Sequence, residues 1–501
     1  DVIERDDAIE LRESGLALSP SDKDTASAVL PALLAHPKPQ RVLVVGPVSS
    51  GALKQALELP DVTVDCARLD PALLAAARKW REDPAGDALR SDRITLITRT
   101  DARRFLRMQS AGYDVIMVLI PDGATALTNR HSTREFFIEC RNALRADGVF
   151  GLSAAGPPAR SQAGAALNEL PHVFRALAIF PGEDAVLFLA SPDPTPPPLS
   201  ADIMAARLTQ WPITDKAPAL KQLARLFDPD ARRRLRAQLH RLPPAERNTD
   251  LRPTHYAQQL DRWTARLGAR PRALLDGLSR MRPYHAVLAA VTLSLIVIVS
   301  VTVSPHPGTV ALHATRAYVG TAGMMIVLAL LFAFQTLTGE LYGHVALLLG
   351  AFAAGVALGT LVVRRLDFAG AEKWMLMLQL TALAVGTALT GALLQRLNPG
   401  DWLHAATMFT VLSLMNGALV GSQHAVGMAA CAAESPEDET EDAACSLLSM
   451  ELIGGAVGAV LGGLVLIPAL GMVHTAWAAC GLCLAGLPVL FLADSGRNLA
   501  R

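Results

Sequence analysis

The sequence predicts two units of different physics: a water-soluble α/β half built on a doubly wound parallel sheet, then a polytopic α-helical bundle of about seven transmembrane helices. Three observations carry this. The chain has 501 residues, more than the ~250–300 that one hydrophobic core organises. Up to about Arg282 it is charged and rich in Pro and Arg, whereas beyond Tyr284 apolar runs dominate and charges fall between them. Within the first half, strand-like apolar runs alternate with helical stretches, the pattern of a parallel sheet with crossover helices.

Residues 1–33 read as an N-terminal β element followed by a helix over 25–35 that ends near His36-Pro37. The main α/β domain is placed at 34–195, a helical extension and basic linker at 196–283, and the membrane domain at 284–501. Arg41-Val42-Leu43-Val44-Val45-Gly46 is an apolar run closed by glycine, as expected of a buried parallel strand entering a turn. A helix over 53–59 follows, then a strand over 62–67. Pro71 suits the first turn of a helix over 72–80. Further strands are expected at 94–97, 113–120 and 148–153, with helices at 101–107 and 133–144. Ligands in such sheets bind at the carboxyl ends of the strands, which places Gly46, Gly51, Asp70, Asp101, Ala102 and Asp122 along one rim. The pattern alone says Rossmann-like. A turn glycine and a packing glycine explain Gly46 and Gly51 as well as a nucleotide does.

Composition excludes some classes. Lys and Arg together number 46 and Asp and Glu 46, so no net charge favours nucleic acid as a partner. Six cysteines are too few for a disulfide framework. Cys480 and Cys483 are spaced C-x-x-C inside an apolar helix, where burial of small residues is the expected role. Cys431 and Cys445 flank an acidic loop, and their pairing is left open.

The order of motifs resembles that of spermidine synthases, in the membrane-fused form found in bacteria. The resemblance runs through residues 34–43, Leu69-Asp70-Pro71, Asp101-Ala102-Arg103-Arg104-Phe105-Leu106, Tyr113-Asp114-Val115-Ile116, Asn129-Arg130 and Thr133-Arg134-Glu135-Phe136-Phe137. It continues with Asn248-Thr249-Asp250-Leu251-Arg252-Pro253 and, in the membrane half, residues 334–342. It implies an S-adenosylmethionine-methyltransferase-like Rossmann fold and transfer of an aminopropyl group from decarboxylated S-adenosylmethionine to a diamine. That chemistry needs a base for the amine and carboxylates for the cationic groups.

The residues that would do this depart from the family pattern. Ser49 stands where the glycine loop has an aspartate. Arg68 stands where an acid binds the ribose hydroxyls, and arginine has no acceptor to offer them. Leu119 occupies the general-base position. Asp101, with Ala102, corresponds to the aspartate that reads the adenine amino group, and Asp122 to the second acid after the fourth strand. A helix cap and a Pro-Asp-Gly turn explain them equally well. The expectation is therefore a pseudoenzyme: no catalytic residue, Gly46, Gly51, Asp70, Asp101, Ala102 and Asp122 as vestigial binding positions, and no cofactor, with an S-adenosylmethionine-type ligand left open. An active aminopropyltransferase or related transferase, and a polyamine or metabolite transporter with a sensor domain, remain the alternatives.

For the membrane half, spans of about 20 apolar residues are expected at 286–303, 317–337, 345–363, 374–394, 403–425, 447–466 and 473–493. Gly355 and Gly359, and Gly454, Gly458 and Gly462, form ladders that permit close helix approach, one of which is expected to face a partner subunit or a second copy. The lipid bilayer is the other expected partner. Glu340, Glu451, His344, His404, His424 and His474 lie in or near the spans, with interfacial solvation expected for the acids and no metal site. Arg266, Arg270, Arg272, Arg280 and Arg282 precede the first span and place the soluble half in the cytoplasm of a bacterial inner membrane. Arg364, Arg365 and Lys373 weigh the other way. Arg232, Arg233, Arg234 and Arg236 form a basic helix, either resting on anionic headgroups or simply solvated.

Overall fold

The computed structural model describes residues 2–5, 8–13, 16–17, 22–46, 50–67, 91–98, 100–119, 129–155, 162–182, 185–194, 199–213, 216–242, 247–254, 283–339, 343–366, 370–397, 402–434 and 440–499. It divides into two units, Asp1–Asp250 with Gln258–Leu260, and Leu251–Ala257 with Asp261–Arg501.

In the first unit, β1 (Val2–Arg5), β2 (Ala8–Glu13) and β3 (Leu16–Ala17) form a small antiparallel sheet. Helix α1 (Asp22–Ala35) leads to β4 (Arg41–Val45), α2 (Ser50–Leu57), β5 (Thr63–Ala67) and β6 (Ile94–Ile97). Then come α3 (Ala102–Met108), β7 (Tyr113–Val118), α4 (Arg134–Ala143), β8 (Leu144–Ala155), α5 (Gln162–Val173), β9 (Ala176–Pro181) and β10 (Ala185–Ser191). The main sheet has seven strands in the order β6-β5-β4-β7-β8-β10-β9. It is parallel from β6 to β8 and antiparallel at β8–β10–β9.

This is the doubly wound Rossmann-like sheet the alternation predicts. Every residue of β7 is buried, because helices cover both faces and the strand must be apolar on each. One apolar cluster joins Val42, Val44, Val115 and Met117 to α1, and the other joins Leu43, Val45, Ile116 and Val118 to Phe136 and Phe137 of α4. Three boundaries differ from expectation. The fifth strand extends over Leu144–Ala155 because it is paired on both sides. Thr133 does not open α4 but caps it, accepting from the Phe136 N–H. Helix α3 starts at Ala102 rather than Asp101, which caps it, as the helix-cap reading has it. The expected helix at 72–80, with Ser49, Arg68, Asp70 and Asp122, lies outside the described residues.

Three helices follow: α6 (Ala201–Gln210), α7 (Lys216–Leu226) and α8 (Pro229–His240). Arg232 of the basic helix stacks over Phe180 and Phe227, 5.4 and 5.8 Å from the ring centroids, so it packs on the domain rather than facing headgroups.

The second unit holds α9 (Pro283–Val303), α10 (Pro307–Thr338), α11 (Gly343–Val363), α12 (Glu372–Arg396), α13 (Trp402–Glu434), α14 (Thr440–Val460) and α15 (Met472–Leu499). A π-helical segment Leu461–Leu466 and a short turn Ile467–Leu470 extend α14. Among the described residues six helices are long and apolar enough to cross a membrane, against the seven expected. The first expected span, at 286–303, lies within the 21-residue helix Pro283–Val303.

Both glycine ladders bring helices of this chain into close contact. A methyl group at Gly355 or Gly359 of α11 would overlap the carbonyl oxygens of Leu414 and Ala418 on α13. One at Gly454 or Gly458 of α14 would overlap those of Ala317 and Thr321 on α10. Glu451 is also corrected. It is no interfacial acid, but pairs with the buried Arg316 of α10, and a buried charge is stable only with such a partner. Cys431 and Cys445 are not joined by a disulfide; the first is buried and the second exposed. Glu340 lies outside the described residues.

Candidate functional site

The strand order reverses between β4 and β7, the switch point where open α/β sheets take their ligands. Gly46 closes β4 with φ of 127°, a conformation that side chains resist, and its N–H bonds the Ala67 carbonyl on β5. Across the switch point the Leu119 N–H donates to the Val45 carbonyl at 2.9 Å. Asp101 follows β6 at the same carboxyl end of the sheet. Gly46, Leu119 and Asp101 therefore share one rim. Gly51 lies in α2 and Ala102 is buried in the first turn of α3.

Leu119 is 3 % exposed and packs in the apolar cluster with Val115 and Met117. It offers the switch point neither a proton acceptor nor a charge. Asp101 has both oxygens engaged. One accepts from the N–H groups of Arg103 and Arg104, and the other from Arg130 at 2.5 Å. Burial alone would push this carboxyl up, but the charge and hydrogen bond of Arg130, with the charge of Arg103, hold it below the ordinary aspartate value. Leu119 cannot hold a cationic group, and both oxygens of Asp101 are already bonded within the chain.

Behind the rim stands an ion-pair cluster that sequence reading missed. Arg103 is fully buried and uses all five guanidinium donors. It bonds Glu139 through Nε at 2.8 Å and Nη2 at 2.7 Å. It bonds Asp250 through Nη1 at 2.7 Å and Nη2 at 2.8 Å. Its remaining bond goes to the Arg130 carbonyl at 3.0 Å. Burial disfavours the guanidinium charge, but Asp250 and Glu139 outweigh it and raise its proton affinity. Arg107 adds a bond to Glu139 at 2.8 Å, and Thr133 Oγ1 donates to Asp250 at 2.7 Å. Asn248 donates to Glu169 and to the Ser132 carbonyl.

Glu135 accepts from the Asp250 N–H at 3.1 Å. Burial and then the neighbouring Asp250 charge push its carboxyl up to about 7. The motifs that stood apart in sequence, at 101–104, 129–130, 133–135 and 248–250, thus meet in one cluster. The signal was there in outline: Arg103 and Glu139 each interrupt the apolar face of a short helix.

A Rossmann-like domain whose rim and motif cluster follow this order defines a class, and part of it is similar to a known family. Residues 29–163 match the family model of the spermine/spermidine synthase domain. A polyamine aminopropyltransferase of Oceanobacillus iheyensis is 31% identical over 150 residues, 29% of this chain and 29% of that protein. Polyamine aminopropyltransferase 2 of Bacillus cereus is 34% identical over 122 residues, 24% of this chain and 33% of that protein. The chain thus spans about a third of the length of these relatives. Spermidine synthase from Thermotoga maritima superposes with a TM-score of 0.40 at 20% identity, covering 48% of this chain and 83% of that one. The protein carries a spermidine-synthase-like domain followed, among the described residues, by six helices long and apolar enough to span a membrane.

Proposed function

We propose that this is an integral membrane protein whose spermidine-synthase-like domain has kept the fold and lost aminopropyl transfer, serving as a docking or regulatory module in a membrane assembly. The observation that carries this is Leu119, apolar and buried at the switch point where the incoming amine must lose its proton. Asp101, bonded to Arg130 and to the start of α3, supports it. So do Ser49 and Arg68 in the sequence, each replacing a residue that would hold the donor. The arginines before the first span favour a bacterial inner membrane with the soluble unit in the cytoplasm.

The test is an assay of the full-length detergent-solubilised protein with radiolabelled decarboxylated S-adenosylmethionine and putrescine, beside an active family member. No spermidine is expected. Leu119→Asp alone restores none, because it buries a carboxylate among apolar side chains while the donor positions stay altered. Turnover within about a hundredfold of the control, a loss of under ~3 kcal/mol, overturns the reading in favour of a working transferase.

A further inference from the structure

A second set of charged residues lies in the membrane unit. Arg316 of α10 is 1 % exposed. Its Nη2 donates to Glu451 Oε2 of α14 and lies 2.8 Å from His424 Nδ1 of α13. The same Nδ1 is 2.8 Å from Glu451 Oε2. Each residue sits about three turns in from its helix end, at ~1.5 Å per residue: Arg316 from Pro307, His424 from Glu434 and Glu451 from Thr440. Ionisable groups at such positions are costly and are kept for function.

The triangle cannot satisfy all its contacts at once. A protonated Nδ1 donates to Glu451 but meets the Arg316 donor. A bare Nδ1 accepts from Arg316 but meets the carboxylate. The arginine is not saturated either: its Nη1 is buried without a partner among the described residues. It is therefore equipped to change acceptors. His424 and Glu451 retain side-chain exposures of 30% and 16%.

We propose that Arg316, His424 and Glu451 form a proton-binding site within the membrane unit, whatever the soluble unit does. In the deprotonated state the His424 Nδ1–H donates to the Glu451 carboxylate, which also accepts from Arg316. Uptake of one proton from water forms an Nε2–H bond on His424. The Nδ1–H bond breaks and its proton forms an O–H bond on Glu451. His424 ends neutral with its tautomer exchanged, and its bare Nδ1 takes over the bond from Arg316. One proton is gained, so the site passes from net neutral to one positive charge on Arg316, which then has the neutral His424 Nδ1 rather than a carboxylate as its partner.

Other charged or titratable groups lie on the helices packed around the site. His313 on α10 bonds Ser446 of α14 at 2.8 Å. Arg364 and Arg365 follow the end of α11, Glu372 and Lys373 open α12, and Glu441 and Asp442 lie in the first turn of α14. None of these touches the triangle in the contacts described, so they set the local field without taking part in the exchange.

The experiment uses the full chain in nanodiscs, with nitrogen-15 labelled histidine for NMR and infrared difference spectra across an acid step. The expected result is a His424 signal that changes from the Nδ1–H to the Nε2–H tautomer in the same step as a protonated carboxyl band appears. Glu451→Gln removes the band and freezes the tautomer. His424→Asn keeps the Arg316–Glu451 pair and the fold, but slows proton uptake at least about tenfold. A His424 tautomer that never changes, or a carboxyl band that survives in Glu451→Gln, would show an ion pair that is structural only and overturn the proposal.

Discussion

Two buried arginines, one in each unit, carry opposite designs. Arg103 spends all five donors on two carboxylates and a carbonyl. Arg316 divides one nitrogen between a carboxylate and an imidazole and leaves another without a partner. A saturated guanidinium has a single arrangement, and any displacement breaks several charge-assisted bonds together. An unsaturated one has alternatives of similar energy. The first arginine is a fixture of the domain, tying helix α3 to α4 and to the motif at 248–250. The second is placed where a proton can rearrange it.

That contrast fixes the order of the expected effects. Arg103→Met strands Glu139 and Asp250 without a counter-charge and should destabilise the soluble unit by about 3–5 kcal/mol, the usual cost of breaking a buried pair. Urea unfolding followed by proteolysis of the soluble unit measures it. A loss below ~1 kcal/mol would erase the distinction between the two arginines.

The membrane helices should depend more on glycine than on charge. Gly454→Leu drives a side chain into the Ala317 carbonyl, at or above the ~1–3 kcal/mol typical of overpacking. Thermal aggregation in detergent should rank it well below wild type, with Arg316→Gln in between. Gly350→Leu, where nothing lies within 4 Å, serves as the control and should behave as wild type. If Arg316→Gln proves the more damaging, the ion pair rather than the glycine contact holds α10 on α14.

The smallest effect sharpens the comparison within the soluble cluster. The Glu135 carboxyl lies at about 7, raised from the ordinary 4.5. Between those values the folded chain keeps a proton that the unfolded chain releases, so this contribution is complete below about 4.5 and is lost as pH rises through about 7. Hydrogen exchange in α4 (Arg134–Ala143) should therefore quicken from pH 5 to 8 beyond its intrinsic rate, and Glu135→Gln should remove that excess. His36 has the opposite sign: burial lowers its proton affinity, so its region weakens as pH falls. Exchange resolved by segment separates the two.

Much of this molecule was legible along the chain. The run at 41–46 announced a parallel strand because a strand covered on both faces must be apolar throughout, and glycine alone relaxes into the turn that ends it. Seven apolar runs announced helices, because lipid offers no partner for polar groups over about 20 residues, and six of them are among the described helices long and apolar enough to span a membrane. The family motifs were equally plain, since each is a short contiguous string. Asp101 and Thr133 were legible as polar residues at helix starts, although whether each capped its helix or entered it was not.

What remained hidden depends on residues far apart in the chain. Arg103 meets Asp250 across 147 positions and Arg316 meets Glu451 across 135, and no local pattern states that two charges will be neighbours. A single arginine in an apolar helix reads as a defect or an interfacial anchor until its partner is known, because the cost of burying it is cancelled only by that partner. The glycine ladders show the same division. Spacing determined that two helices would pack closely, while tertiary structure alone decided which helices, α13 and α10, they meet. Composition and periodicity act through each residue's own solvation and so are readable one segment at a time. Pairing acts through distance in space, and only the folded chain assigns it.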